Sequence, residues 1–169
     1  MKNIFTIIAL TISFSMNAQT FWFQGTGQNA IQTYNTTASG TASTAMGNGT
    51  TASGTASTAM GNGTTANGVG STAMGGTTIA SGTYSTAMGG ATTASGTYST
   101  AMGGATTASG LGSTAMGRNT TASDYGSLVI GQYNSSGSAV TSNATSFDTA
   151  NTAFVIGNGV DSSNISDAF

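Results

Sequence analysis

The sequence predicts an all-β parallel roll, a solenoid of seven 14-residue coils, and three observations carry that prediction. Residues 37–134 repeat every 14 residues, seven times, with no insertion. Every copy contains Gly, and Thr is the commonest residue of the chain, so intrinsic preference opposes helix. Leu, Ile, Val and Phe supply only 24 of 169 residues, too few for a conventional single-chain core. A fixed period over many copies marks stacked units that bury one another's faces.

Composition excludes several classes of function. Charged residues are 4% of the chain, against about 25% in an average domain. Lys2 and Arg118 are the only basic residues, so there is no basic patch for a nucleic acid. The chain has no Cys, Pro, His or Glu, which removes disulfides, Cys/His zinc sites and His-based triads. Ser and Thr abound, but beyond Lys2 no His or Lys exists to activate them. Carboxylates occur only at Asp124, Asp148, Asp161 and Asp167, with no calcium-loop spacing among them. No catalytic residue, metal or cofactor is expected.

Along the chain, residues 1–18 read as an export signal. Lys2 supplies the positive start, residues 4–14 (IFTIIALTISF) the apolar stretch, and Ala18 the cleavage position. That stretch is too short to span a bilayer, and no other apolar run is long enough. Residues 19–36 hold Phe21, Trp22, Phe23 and Tyr34, a local aromatic cluster read as a cap over the first coil. Residues 37–134 form the roll. Residues 135–169 form a closing cap, with a Ser/Asn/Thr-rich loop to 150 and renewed apolar alternation around Phe154, Val155 and Ile156. The abrupt stop at Phe169 reads as a fragment or a short secreted relative.

Within one copy, such as TASGTASTAMGNGT (residues 37–50), TASG opens one half and TAMG the other. Each half predicts a short strand closed by a turn. Gly at the fourth and eleventh positions can take positive φ at no steric cost. The eleventh-position glycines, Gly47, Gly61, Gly75, Gly89, Gly103, Gly117 and Gly131, are therefore expected at the turns.

Period-2 alternation then sorts the faces. Ser43, Ala45 and Gly47 share one side, and Thr44 and Met46 the other. On the opposite strand Ala38 and Gly40 share one side, and Thr37 and Ser39 the other. The expected interior is thin, filled with Ala, Ser and Gly. Outside, one face is a Thr-x-Ser ladder and the other a Thr-x-Met ladder. The apolar ladder comprises Met46, Met60, Met74, Met88, Met102 and Met116, with Ile130 in the seventh slot. Its burial is worth roughly 1.5–3 kcal/mol per residue. A rival reading places Met inside as the only bulky filler. The outward reading is favoured because Ala and Ser are the more uniform positions, and it calls for self-association, with a trimer bringing three such faces to one axis. Tyr84 and Tyr98 occupy equivalent positions in successive copies and are a candidate ligand surface, against plain packing as the alternative.

The unit with Ser-x-Ala-Met-Gly or Ser-x-Val-Ile-Gly (residues 43–47 and 127–131) resembles the head repeats of YadA-like trimeric autotransporter adhesins, over residues 37–134. The resemblance implies a left-handed parallel β-roll, where the general crossover rule would give a right-handed one. It also implies a homotrimer with the hydrophobic residue before Gly packed toward its centre, display on a bacterial surface or secretion, and adhesion to external ligands. No heptad stalk and no membrane strands are read in this sequence, so the resemblance covers the head repeats and not the autotransport machinery. The ligand is not named by the sequence: matrix protein, glycan or another surface all suit a nearly uncharged face. The alternative is an ice- or crystal-binding solenoid that uses the Thr-x-Ser ladder, which Asn67 and Ile79 interrupt.

Overall fold

The computed structural model describes residues 23–134 and 143–168. The segment read as an export signal, Phe21 and Trp22 of the aromatic cluster, and residues 135–142 lie outside the described residues.

Each coil contributes one two-residue strand and one five-residue strand. The short strands run from β3 (Thr37–Ala38) to β15 (Thr121–Ala122), and the long ones alternate with them from β4 (Thr44–Asn48) to β16 (Leu128–Gln132). Every strand pairs in parallel with its equivalent one coil on, so Met74 lies beside Met88 and Ala94 beside Ala108. The result is two facing sheets, one of seven short strands and one of ten strands. The ten-stranded sheet gains β1 (Phe23–Gln24) and β2 (Ile31–Gln32) at one end and β17 (Phe154–Asn158) at the other. This is the expected parallel β-solenoid of seven coils.

The interior is narrow because its side chains are small. A column of Ala from each strand, from Ala38 to Ala122, is fully buried, and Val129 ends it on the long-strand side. Ser43 and its equivalents fill the next column, as expected. The third column was not anticipated. It is the last residue of each coil, Thr50, Thr64, Thr78, Thr92, Thr106 and Thr120, all buried. Twelve interior hydroxyls, from Ser43 to Thr120, make no hydrogen bond to the described chain. Leaving such a group unpaired costs about 1–3 kcal/mol, so the backbone ladders, not the core chemistry, carry this fold.

The glycines divide into two roles. Gly47 and its equivalents hold φ of 100–125° near the end of each long strand. Fourth-position glycines such as Gly40 and Gly82 do not take positive φ, contrary to expectation. They are required by proximity, since a Cβ on Gly82 would run into the backbone of Gly96 in the next coil. The left-handed residues of the corners stand instead at the sixth and thirteenth positions. Ala42, Tyr84 and Tyr98 take φ of 55–59° at the sixth, and Gly49 and Ala91 take 63° and 55° at the thirteenth. There the N–H turns along the roll axis and bonds the previous coil, as from Tyr84 N to Val69 O (2.8 Å) and Ala91 N to Gly76 O (2.8 Å).

Further chain packs against both ends of the repeat array. The β1–β2 hairpin caps the first coil, with β1 antiparallel to β2 and β2 parallel to β4. At the far end Asp124 replaces the fourth-position Gly of the seventh coil. The short-strand sheet stops there, so no further coil forbids a Cβ, and the buried carboxylate accepts the N–H of Thr152 at 2.8 Å. Asn134 likewise exchanges two hydrogen bonds with the backbone of Thr121, at 2.8 and 3.1 Å.

Candidate binding surfaces

The outer face of the long-strand sheet carries two columns. One runs through the Met ladder. Met46, Met60, Met74, Met88, Met102, Met116 and Ile130 stack in register, alternate with buried Ala or Val, and lie half-buried on the outside. The stack then gains an eighth rung. Ile156 pairs with Ile130 because β17 joins β16 in parallel after an excursion of 26 positions. The second column is Thr in six coils and turns apolar at its ends, with Leu128 and Phe154 exposed at one end and Ile31 at the other. Leu128, Phe154 and Ile156 were missed as part of this face. Their signal is the second Val-Ile-Gly at 155–157, which repeats 129–131.

The short-strand sheet presents its Thr-x-Ser ladder outward. Thr51 lies beside Thr65, and Ser53 donates to Asn67 Oδ1 at 2.6 Å. Ile79 interrupts the Thr column and is 42% exposed.

The third surface is the corner between a short strand and the following long one. In each coil the four residues there form a turn closed by a bond such as Ser43 N to Gly40 O (3.1 Å), with positive φ only at its second central residue. That is a type II turn, which favours Gly or Asn at the second central position. Tyr84 and Tyr98 occupy that position instead. Their rings stack with centroids 5.7 Å apart and planes 4° from parallel. The ring of Tyr84 lies over Gly70, where any side chain would collide with it, and Gly112 brings no side chain onto the far face of Tyr98. A left-handed Tyr costs roughly 1–2 kcal/mol, while a stacked aromatic pair is worth about 0.5–1.5 kcal/mol. The pair is not an economical way to stabilise a corner that Ala and Gly serve elsewhere.

Charge is sparse on all three surfaces. Residues 37–106, the first five coils, contain no ionisable side chain other than the two tyrosines. Arg118 lies 5.4 Å from the ring centroid of Tyr133, a cation–π contact. Among the described residues no three His, Cys, Asp or Glu side chains gather as a metal site. No helix of the described residues is long and apolar enough to cross a membrane.

A family model for the YadA head domain repeat matches the chain at residues 34–50, 38–64, 52–78, 80–106 and 108–134. Its matches follow the coils in register across more than half of the sequence. No curated protein matches the chain at a significant level.

Proposed function

Because the chain belongs to the YadA head family, whose members are trimeric, non-catalytic adhesin heads displayed on the bacterial surface, we propose that it is the binding head of an exported homotrimeric surface adhesin. In this reading residues 1–18 direct export. The roll is left-handed, as the family implies, and three copies meet through the outer face of the long-strand sheet. The observation that carries the reading is the eight-rung ladder from Met46 to Ile156, which no part of the described chain covers. Water-facing Thr and Ser, such as those of the short-strand face, would suffice for a solitary roll.

The adhesive surface is then what the trimer leaves outside, including the corner that carries Tyr84 and Tyr98. The external ligand is a neutral surface partner, consistent with the uncharged coils. Light scattering after size exclusion on residues 20–169 tests the assembly. A mass near three chains is expected, and Met74→Asp with Met88→Asp should reduce it to one. A folded, β-rich monomer overturns the trimer.

The second reading is ice or crystal-surface binding. The in-register outward Thr and Ser columns favour it, and Ile79 and Asn67 break them. Thermal hysteresis at millimolar protein would support it, and its absence would remove it.

A further inference from the structure

The corner turns leave one backbone donor over in each coil. In the type II turn the second central N–H bonds the previous coil, from Tyr84 N to Val69 O and from Tyr98 N to Thr83 O. The first central N–H has no such use. In coils one to five it belongs to Thr41, Thr55, Val69, Thr83 and Thr97, and it makes no hydrogen bond to the described chain. Because the coils repeat in register, these donors form a straight row along the roll, about 4.8 Å apart.

The last two coils reveal what the row accepts. There the chain itself passes over the corner, and consecutive carbonyls take consecutive donors: Leu111 N bonds Ala144 O at 2.7 Å, and Tyr125 N bonds Asn143 O at 3.3 Å. A peptide segment therefore lies along the axis, across coils, held by main-chain bonds one residue per coil. In the two preceding coils, Thr83 and Thr97 offer the same donors beside the stacked rings of Tyr84 and Tyr98.

We infer that the corner of coils four and five is a docking site for an uncharged segment of another polypeptide, turned as Asn143–Ser146 are so that consecutive carbonyls accept the N–H groups of Thr83 and Thr97, and with an apolar side chain on the Tyr84–Tyr98 stack. The inference rests on the reading of the roll as a displayed binding head, and it names the class of partner. Main-chain donors supply the affinity and the aromatic pair selects the side chain, the same division of labour as in strand addition to a sheet edge. The absence of any charged side chain in residues 37–106 selects against a charged segment, since it would give up its hydration without an ionic partner.

The test uses the chain from residue 20 and an acetylated peptide of sequence NATSF, a copy of residues 143–147, of which Asn143 and Ala144 already bond the row. Amide signals of isotopically labelled protein are followed as peptide is added. Shifts are expected at Thr83 and Thr97. Proline is favoured at the first central position of a type II turn, so Thr83→Pro with Thr97→Pro deletes the two donors and leaves the turn intact. That variant should weaken the peptide at least tenfold, with circular dichroism and mass unchanged, and Tyr84→Ala with Tyr98→Ala should weaken it while preserving the donors. Shifts confined to Leu111 and Tyr125, equal binding by the proline variant, or exchange protection of Thr83 and Thr97 before peptide is added would each overturn the inference. A trimer that ignores the peptide overturns this inference and leaves the head reading standing. A monomeric mass overturns the head reading itself.

Discussion

Ile156 lies directly beside Ile130 on the outer face of the long-strand sheet, 26 positions along the chain from it. Phe154 pairs with Leu128 in the same way, and Val155 with Val129 inside the roll. The closing segment is thus an eighth rung of the long-strand sheet, and it extends the apolar face that the proposed trimer would cover.

Ile156→Asp should therefore weaken the trimer without unfolding the roll. Each protomer would lose roughly 1.5–3 kcal/mol of apolar burial and gain a charge in the interface. Light scattering across a dilution series checks it, with dissociation expected at higher protein concentration than for the unaltered chain. An unchanged series would remove β17 from the interface.

Gly82→Ala and Gly90→Ala should differ sharply, although both replace a glycine without positive φ in the same coil. A Cβ at Gly82 meets the backbone of Gly96, whereas a Cβ at Gly90 meets nothing within 4 Å. Gly82→Ala is expected to cost about 3 kcal/mol or more, because a coil spacing shared along the roll must open. Gly90→Ala is expected to be neutral or to stabilise by about 0.4–1 kcal/mol through the unfolded chain. Denaturant midpoints measure both, and equal midpoints would contradict the packing of the coils.

Thr92→Val should stabilise the roll by about 1 kcal/mol. The Thr92 hydroxyl is buried and makes no hydrogen bond to the described chain, and a methyl of the same shape carries no desolvation cost. Thermal unfolding reads the effect. A loss of stability would mean that the hydroxyl column has partners worth more than its burial costs.

Asp161 makes the closing turn sensitive to acid. Its carboxylate accepts the Ser163 N–H at 2.8 Å, and the Asn164 side-chain and backbone N–H groups also reach it, which holds its pKa below the ordinary 3.8. A lowered folded value means that the turn's contribution is complete above the ordinary carboxylate range and is lost as pH falls through the folded value. Carbon NMR should show the Asp161 carboxyl titrating at lower pH than that of a free aspartyl peptide, with the Ser163 amide signal moving in step. Titration at the ordinary value would show that the turn is open in solution.

Much of the fold was legible from the 14-residue period. It places residue i beside residue i+14, so it dictated parallel pairing, the coil count and the stacking of like on like. Alternation placed Ala38, Ala45 and Ser43 inside and Thr37, Ser39 and Thr44 outside, but it also placed Gly47 inside, where the structure exposes it because positive φ breaks the alternation at the strand's end. Alternation also put the two members of each Thr-Thr pair, such as Thr64 and Thr65, on opposite faces, but the first member was not counted among the interior residues because a core of Ala, Ser and Gly was expected. Gly40 was misread because a repeated Gly has the same signature whether it answers a positive φ or a close approach of backbones, and only the distance between coils tells them apart.

By itself, then, the sequence determined a stacked parallel roll with an apolar ladder on one face, because a repeat translated along one axis leaves each strand no better partner than its own copy. The tertiary structure decided what periodicity does not encode. A segment out of phase with the repeat, residues 154–158, returns to the sheet because Val155 and Ile156 match the open edge that β16 presents. The direction of each corner N–H depends on which of two adjacent turn residues takes positive φ, a choice made by hydrogen bonding between coils. That choice leaves the N–H groups of Thr83 and Thr97 unused beside two stacked tyrosines.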